Sequence, residues 1–210
     1  QGGVVALAPK SRGLGLWEVG GELGRGGFGA VYAVRDLALG LKRALKVLDP
    51  AMVRRPELLE RFHREVEVMQ ALVHQRIVRV YDYREDLGED LALFSMELVE
   101  GCSVRDLLAQ ARTSGEAVPV PLAEAVLTQT LEALAAAHER GVIHRDVTPG
   151  NILLAGGSAA ELLAAPGRKL AAQALLFLVL FLREGAEVLL LAEELLRRRV
   201  GAALQPGHGG

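Results

Sequence analysis

A glycine-rich stretch near the start of the chain has the composition of a phosphate-binding turn. Residues 23–31 read Leu-Gly-Arg-Gly-Gly-Phe-Gly-Ala-Val, which fits G-x-G-x-x-G-x-V and lies between two predicted strands. Glycines at Gly24, Gly26 and Gly29 let the backbone approach phosphate oxygens and point N–H groups at them. A glycine-rich hairpin without a ligand is the alternative. The position between strands excludes a dinucleotide-binding turn, in which the glycines open a helix.

A lysine on the next strand and a glutamate on the helix after it could act on the same phosphate groups. Lys46 ends the segment Ala-Leu-Lys, and a lysine that faces a cleft would meet phosphate oxygens as a point charge. Glu65 is placed to pair with Lys46 and hold it extended, with Glu67 as the competing partner. An ordinary surface lysine is the alternative for Lys46.

The most specific pattern lies at residues 144–151, which read His-Arg-Asp-Val-Thr-Pro-Gly-Asn. This stretch matches the H-R-D-x-x-x-x-N catalytic loop and follows the glycine-rich turn, Lys46 and Glu65 in the expected order. The chain therefore resembles the protein kinase family, and its bacterial Ser/Thr kinases in particular. The resemblance implies an α+β fold of two lobes, ATP and Mg²⁺ as cofactors, and transfer of the ATP γ-phosphate to a protein substrate. Tyrosine as acceptor stays open on these residues.

The resemblance also implies the roles of the loop residues. Asp146 would accept the proton of the substrate hydroxyl or orient that hydroxyl, and Asn151 would offer its amide oxygen to magnesium. Lys46 would position ATP together with Glu65. His144 is expected to pack within the loop rather than to act as an acid or base.

The adenine site is likewise implied by the resemblance. Met96 looks like the gatekeeper residue, and the backbone from Glu97 to Val99 would meet the edge of the base. Apolar walls are expected from Leu23, Val31 and Ala44. Each of these residues could equally be an ordinary core residue.

The elements that must position these residues can be predicted from hydrophobic spacing. Alternating apolar residues predict five antiparallel strands, over 17–23, 30–36, 43–48, 78–83 and 91–98. A helix is predicted from Pro56 to about Leu72, and two further helices over 104–111 and 122–140. We therefore expect a small lobe at 16–100 and part of a helical large lobe at 101–155.

Two departures from the kinase pattern affect the expected activity. Thr148 stands where most Ser/Thr kinases have a lysine that neutralises the transferring phosphate. No aspartate follows Asp146, so the chain contains no Asp-Phe-Gly magnesium ligand, and no Ala-Pro-Glu motif appears. We expect this chain to bind nucleotide poorly and to transfer phosphate slowly or not at all. The alternative function is that of an impaired nucleotide-binding or scaffold protein.

The tail, at 156–210, is apolar and predicted to be helical. The stretch 170–182 is too short to cross a bilayer, whereas 170–192 is long enough but contains Arg183, Glu184 and Glu187. The segment 183–187 resembles the Arg-Glu-Gly-Leu-Glu motif of iron permeases over one short helix. A buried or membrane-surface helix and a misjoined or frameshifted gene end are the alternatives.

Composition limits the remaining possibilities. The chain has 210 residues, half of them apolar, and a net charge of -2, so we expect a folded protein without a nucleic-acid partner. Its single cysteine, Cys102, cannot form an internal disulfide. Residues 1–15 lack the order of a signal peptide and are expected to be disordered. A cytoplasmic location is expected, with membrane association through 170–192 as the alternative.

Overall fold

The small lobe is built on a five-stranded antiparallel sheet. A computed structural model describes residues 17–164 and 173–176. The strands are β1 (Trp17–Gly26), β2 (Gly29–Asp36), β3 (Lys42–Leu48), β4 (Val80–Asp86) and β5 (Leu91–Met96). They are arranged in the order β1-β2-β3-β5-β4. The predicted five-stranded antiparallel sheet is confirmed.

Two helices connect β3 to β4. The first, α1 (Pro50–Val53), is capped by the Asp49 side chain, which accepts a hydrogen bond from the Ala51 N–H. The second, α2 (Pro56–Ala71), begins with proline at its first turn and buries Phe62, Val66 and Met69. This apolar face packs into the main core together with residues of β3, β4 and β5. The long helix beside the sheet is therefore confirmed, whereas α1 is too short to show a periodic pattern in sequence.

Where the structure describes it, the large-lobe part contains three helices and a small sheet. After β6 (Gly101–Ser103) come α3 (Val104–Ser114) and α4 (Val120–His138), then β7 (Ile152–Ala155), α5 (Ala159–Leu163) and β8 (Gln173–Leu176). The strands β6, β7 and β8 form one antiparallel sheet. Gly141, shortly after α4, has a left-handed backbone at φ 72°, a conformation that glycine adopts readily at the end of a helix.

The two lobes share a hydrophobic core. Ala133 and Ala137 of α4 belong to the same buried cluster as Phe62 and Val66 of α2 and Phe94 of β5. A second cluster joins α3, α4, β7 and α5. The catalytic-loop segment between α4 and β7 is thus fixed against the small lobe by α4.

Most of the tail, for which the sequence predicted a helix, lies outside the described residues. Gln173–Leu176 pairs with β7 as β8, where the sequence predicted helix, because the free edge of β7 offers backbone hydrogen-bonding groups. The segment 183–187 and the rest of 177–210 lie outside the described part. Within 17–164 and 173–176, no helix combines the length and apolar character needed to cross a bilayer.

Candidate functional site

The glycine-rich turn joins β1 to β2 and combines open glycines with a packed one. A Cβ built on Gly24 or Gly26 would meet no heavy atom within 4 Å, so the backbone there faces free space. Gly29 has φ +127°, and its Cβ would lie 2.0 Å from the Val47 carbonyl oxygen. Gly29 is therefore required for packing against β3, whereas Gly24 and Gly26 leave room for a ligand.

A cavity of about 460 Å³ lies between the lobes under this turn. Residues expected to hold a nucleotide line it: Leu23, Gly24, Gly26, Val31, Ala44, Lys46, Met96, Glu97, Val99 and Asn151. Three residues expected at the site are absent from its walls: Gly29, Glu65 and Asp146. Gly29 packs against β3 instead, and the positions of the other two follow below.

Met96 and the segment after it form the back and edge of the cavity. Met96 is buried at the end of β5 and pairs with Ala44 of β3. The chain then leaves the sheet, with the Glu97 N–H bonded to the Arg79 carbonyl oxygen at 2.8 Å. Leu98 and Val99 follow along the cavity wall. This arrangement presents irregular backbone beside an apolar slot, as the adenine prediction requires.

Lys46 is a half-buried cation without a carboxylate partner in the described part of the chain. Its neighbours across the sheet are Val31 of β2 and Phe94 of β5. Desolvation by burial lowers the pKa of Lys46. A desolvated ammonium is stabilised by an anion, so the cavity favours a negatively charged ligand at this point.

Glu65 does not form the expected ion pair with Lys46 among the described residues. It lines a separate cavity of about 470 Å³ together with Arg145 and the segment that follows α4. Desolvation by burial raises the pKa of Glu65 to about 7, against the opposing charges of Arg61 and Arg145. In this structure α2 places Glu65 beside Arg145 of the catalytic loop, and the Lys46–Glu65 pair stays a prediction.

The catalytic loop is held by contacts within itself. His144 is buried, and its Nδ1 accepts a hydrogen bond from the Asp146 N–H at 3.2 Å. The same N–H donates to the His144 carbonyl oxygen at 2.8 Å. Arg145, between them, has a left-handed backbone with φ 59°. Such a conformation costs about 1 kcal/mol for a non-glycine residue, so the surrounding contacts must maintain it.

Asn151 connects Asp146 to the cavity. Its amide Nδ2 donates to the Asp146 carbonyl oxygen at 2.9 Å and to the Asp146 Oδ2 at 3.1 Å. The Asn151 side chain thereby orients the carboxylate and keeps its own Oδ1 available as a ligand. Lys46 and Asn151 line one cavity from opposite lobes, and Asp146 lies next to it through its hydrogen bonds with Asn151.

The residues fit a magnesium ion only in part. Mg²⁺ binds through one or two carboxylates together with phosphate oxygens and water. Asn151 Oδ1 can supply one oxygen next to the Asp146 carboxylate. Residues 17–164 and 173–176 contain no group of three or more His, Cys, Asp or Glu side chains that could hold a metal ion. The described residues alone therefore do not complete a magnesium site.

Five residues of the cavity mouth escaped the sequence analysis. They come from β6 and the first turn of α3: Gly101, Cys102, Ser103, Arg105 and Asp106. Ser103 and Asp106 form a capping box at the start of α3, with the Ser103 N–H donating to Asp106 Oδ2 at 2.9 Å. The Ser-x-x-Asp spacing that signals such a box was readable in the sequence.

Comparisons with known proteins give one consistent result. A family described as "Protein kinase domain" matches residues 17–162. Serine/threonine-protein kinase pkn2 of Myxococcus xanthus is 40% identical over 157 residues, which is 74% of this chain and 18% of the relative. Serine/threonine-protein kinase PknB of Mycobacterium tuberculosis is 37% identical over 149 residues, covering 70% of this chain and 23% of the relative.

A solved structure agrees with these relatives. The Mycobacterium tuberculosis PknI kinase domain superposes with a TM-score of 0.58 and 31% identity, covering 77% of this chain and 58% of that domain. This chain thus spans about a fifth of the length of the two curated relatives.

Proposed function

The chain belongs to the protein kinase family, and we propose that the cavity between its lobes binds ATP and directs the γ-phosphate to a protein Ser or Thr hydroxyl. One observation carries this proposal. Lys46 of the small lobe and Asn151 of the catalytic loop line the same cavity, and Asn151 holds the Asp146 carboxylate at 3.1 Å. Asn151 therefore links the cavity that contains Lys46, a cation for the phosphates, to Asp146, a carboxylate for the hydroxyl that lies just outside the cavity walls.

The adenine would occupy the apolar end of the cavity. Five apolar side chains line this part of the cavity: Leu23, Val31, Ala44, Met96 and Val99. The gap in regular structure after Met96 gives backbone groups that can meet the edge of the base. An apolar slot with few polar groups provides both affinity and orientation.

The phosphates would lie between the glycine-rich turn and Lys46. The open backbone at Gly24 and Gly26 permits close approach, and Lys46 supplies the charge that its surroundings leave uncompensated. Binding a polyanion would offset the desolvation of Lys46, so we expect the pKa of this ammonium to rise in the complex.

Asp146 would act on the hydroxyl. Its Oδ2 is engaged by Asn151, which leaves the other oxygen to accept a hydrogen bond from the acceptor hydroxyl. In phosphoryl transfer most of the catalysis is positioning and charge neutralisation, and members of this family use ATP with Mg²⁺. Asn151 Oδ1 is the one oxygen we assign to magnesium, and the metal would supply neutralisation of the phosphate charge.

An impaired nucleotide-binding or scaffold function is the second candidate. Two observations favour it: the sequence has no aspartate after Asp146, and the described residues show no Lys46–Glu65 ion pair. Under this alternative the same cavity binds nucleotide without efficient transfer. The small lobe at 16–100 and the partial large lobe at 101–155 serve either function.

Transfer of labelled γ-phosphate to a protein substrate, measured together with nucleotide binding, separates the two candidates. Lys46→Met should weaken binding and transfer, whereas Asp146→Asn should remove transfer and leave binding in place. Lys42→Met is the matched control, because Lys42 lies on the same strand but pairs with Glu100 at 2.7 Å on the surface. Binding without transfer in the unaltered chain supports the scaffold candidate. Absence of nucleotide binding contradicts both.

Membrane association of the tail remains a hypothesis about residues outside the described part. Deleting 177–210 keeps α5, whose Leu162 and Leu163 are buried in the large-lobe core. If the shortened chain partitions into detergent or vesicles as the full chain does, the tail carries no membrane affinity. The permease resemblance at 183–187 depends on the same result.

A further inference from the structure

A third cavity, of about 640 Å³, lies on the large lobe beside the catalytic loop. We name it the α3 groove. Its walls include Arg105 and Arg112 of α3, Glu116 of the turn after α3, and Pro149 of the catalytic loop. Pro149 is three residues beyond Asp146 in sequence, so the groove opens next to the segment that carries the proposed catalytic carboxylate.

Arg105 is fixed to this segment by two contacts. Its backbone N–H donates to the Pro149 carbonyl oxygen at 3.0 Å. A Cβ built on Gly150 would lie 2.3 Å from Arg105 Nη2 and 2.7 Å from Cζ, so the guanidinium lies directly against the Gly150 backbone. Glycine at position 150 therefore makes room for the arginine. Arg105 also lines the nucleotide cavity and stands at the border between the two cavities.

The walls of the α3 groove carry one more positive than negative charge. Arg105 also interacts electrostatically with its neighbour Asp106, and the pKa of that carboxyl is lowered by hydrogen bonds from its capping-box serine and by the Arg105 charge. Arg105 and Arg112 contribute two cations, and Glu116, whose carboxylate already accepts from Ser114 Oγ at 3.0 Å, contributes one anion. Asp106, next to Arg105, is engaged by the N–H and Oγ of its capping-box serine. Across 17–164 and 173–176, neither arginine forms an ion pair with a carboxylate.

We propose that the α3 groove binds acidic residues that flank the Ser or Thr acceptor in a peptide substrate. The inference rests on the proposed kinase function, since it is Asp146 that brings the acceptor to this place. Guanidinium groups match carboxylates in shape and charge and can bind them with two parallel hydrogen bonds. The net charge of -2 for the whole chain gives no general attraction for anions, so a preference for acidic peptides must arise locally.

Two dye-labelled peptides test the proposal by fluorescence anisotropy. Both contain one serine, flanked in the first by glutamates and in the second by glutamines. The glutamate peptide should bind about five- to tenfold more tightly at low salt, the effect expected from two exposed ion pairs. Arg105→Ala and Arg112→Ala should each reduce this ratio by about half or more, and added salt should also reduce it.

Arg55→Ala is the matched control. Arg55 is an exposed arginine just before α2 and carries the same charge as Arg105 and Arg112. It lines neither the nucleotide cavity nor the α3 groove. It should leave the peptide ratio unchanged. If Arg55→Ala lowers the ratio as much as Arg112→Ala, or if the unaltered chain does not distinguish the peptides, the inference is overturned.

Nucleotide binding, measured on the same samples with a fluorescent ATP analogue, keeps the two proposals apart. Nucleotide binding without any peptide preference overturns the α3 groove inference and leaves the proposed function standing. Peptide preference without nucleotide binding supports the groove chemistry and contradicts the proposed function. Arg112→Ala should retain nucleotide binding, because Arg112 lies outside the walls of the nucleotide cavity.

Discussion

Replacing Glu65 with glutamine should stabilise the chain at about pH 8 and have little effect at about pH 5. Burial raises the pKa of Glu65 from 4.5 to about 7 in the folded state. The folded-state pKa thus lies above the unfolded value, so the protonated carboxyl contributes stability that is complete below about pH 4.5. That contribution is lost as the pH rises through about 7. Glutamine carries no charge at any pH, so the variant does not lose this stability as the pH rises.

The size of the effect follows from the pKa and the exposure of the side chain. If the carboxylate were fully desolvated, raising its pKa from 4.5 to about 7 would change the free energy of unfolding at high pH by about 3 kcal/mol. Glu65 is only partly buried and faces Arg61 and Arg145, so solvent screening reduces this to about 1 kcal/mol. For a chain of about 200 residues, 1 kcal/mol raises the Tm by about 2–4 °C.

Thermal unfolding by circular dichroism at the two pH values measures this difference. Glu124→Gln is the control, because Glu124 is an exposed glutamate in the second turn of α4. The Tm of Glu124→Gln, measured relative to the unaltered chain, should be no higher at about pH 8 than at about pH 5. If Glu65→Gln lowers the Tm at about pH 8, the carboxylate is held by a strong ion pair in solution, and the position assigned to Glu65 is refuted.

Three further substitutions test the site and its support. Gly29→Ala should lower the free energy of unfolding by more than about 3 kcal/mol, because the added Cβ would lie 2.0 Å from the Val47 carbonyl oxygen. Chemical denaturation measures this loss, and an unchanged denaturation midpoint would contradict the packing described for Gly29. Gly26→Ala should unfold like the unaltered chain yet bind ATP about tenfold more weakly in calorimetry, and equal affinity would remove Gly26 from the phosphate site. Arg43→Ala should lower the free energy of unfolding by about 2 kcal/mol, because the largely buried Arg43 pairs with Asp82 at 3.0 Å. A loss below about 0.5 kcal/mol in the same denaturation experiment would show that this ion pair contributes little to stability.

The sheet and the long helix were predictable because local patterns determine them. Strand alternation and the glycine-rich turn place β1 to β3, and Pro56 marks the start of α2. Short elements such as α1 and β6 escaped prediction, since three or four residues carry no periodic signal. The strand β8 forms where the sequence favoured helix, because pairing with β7 outweighs the local preference.

The site was predictable where a motif fixes spacing within one segment. The catalytic loop is such a case, and Asn151 reaches Asp146 as its position in the loop implies. The Lys46–Glu65 pair depends instead on how α2 is rotated against the sheet, which no spacing in the sequence determines. Arg105 reaches Gly150 through the tertiary placement of α3, and this contact likewise has no local signature.

Nucleotide binding in the cavity between the lobes can be tested directly through the single cysteine of the chain. Cys102 lines this cavity, and desolvation together with Asp106 raises the pKa of its thiol, so alkylation is best followed at a fixed alkaline pH. Magnesium ATP should slow alkylation of Cys102 in the unaltered chain and have much less effect in Lys46→Met. Calorimetry on the same chain establishes whether ATP binds at all. If ATP binds but, at saturation, leaves the alkylation rate of Cys102 unchanged, the nucleotide lies elsewhere and the proposed binding site is contradicted.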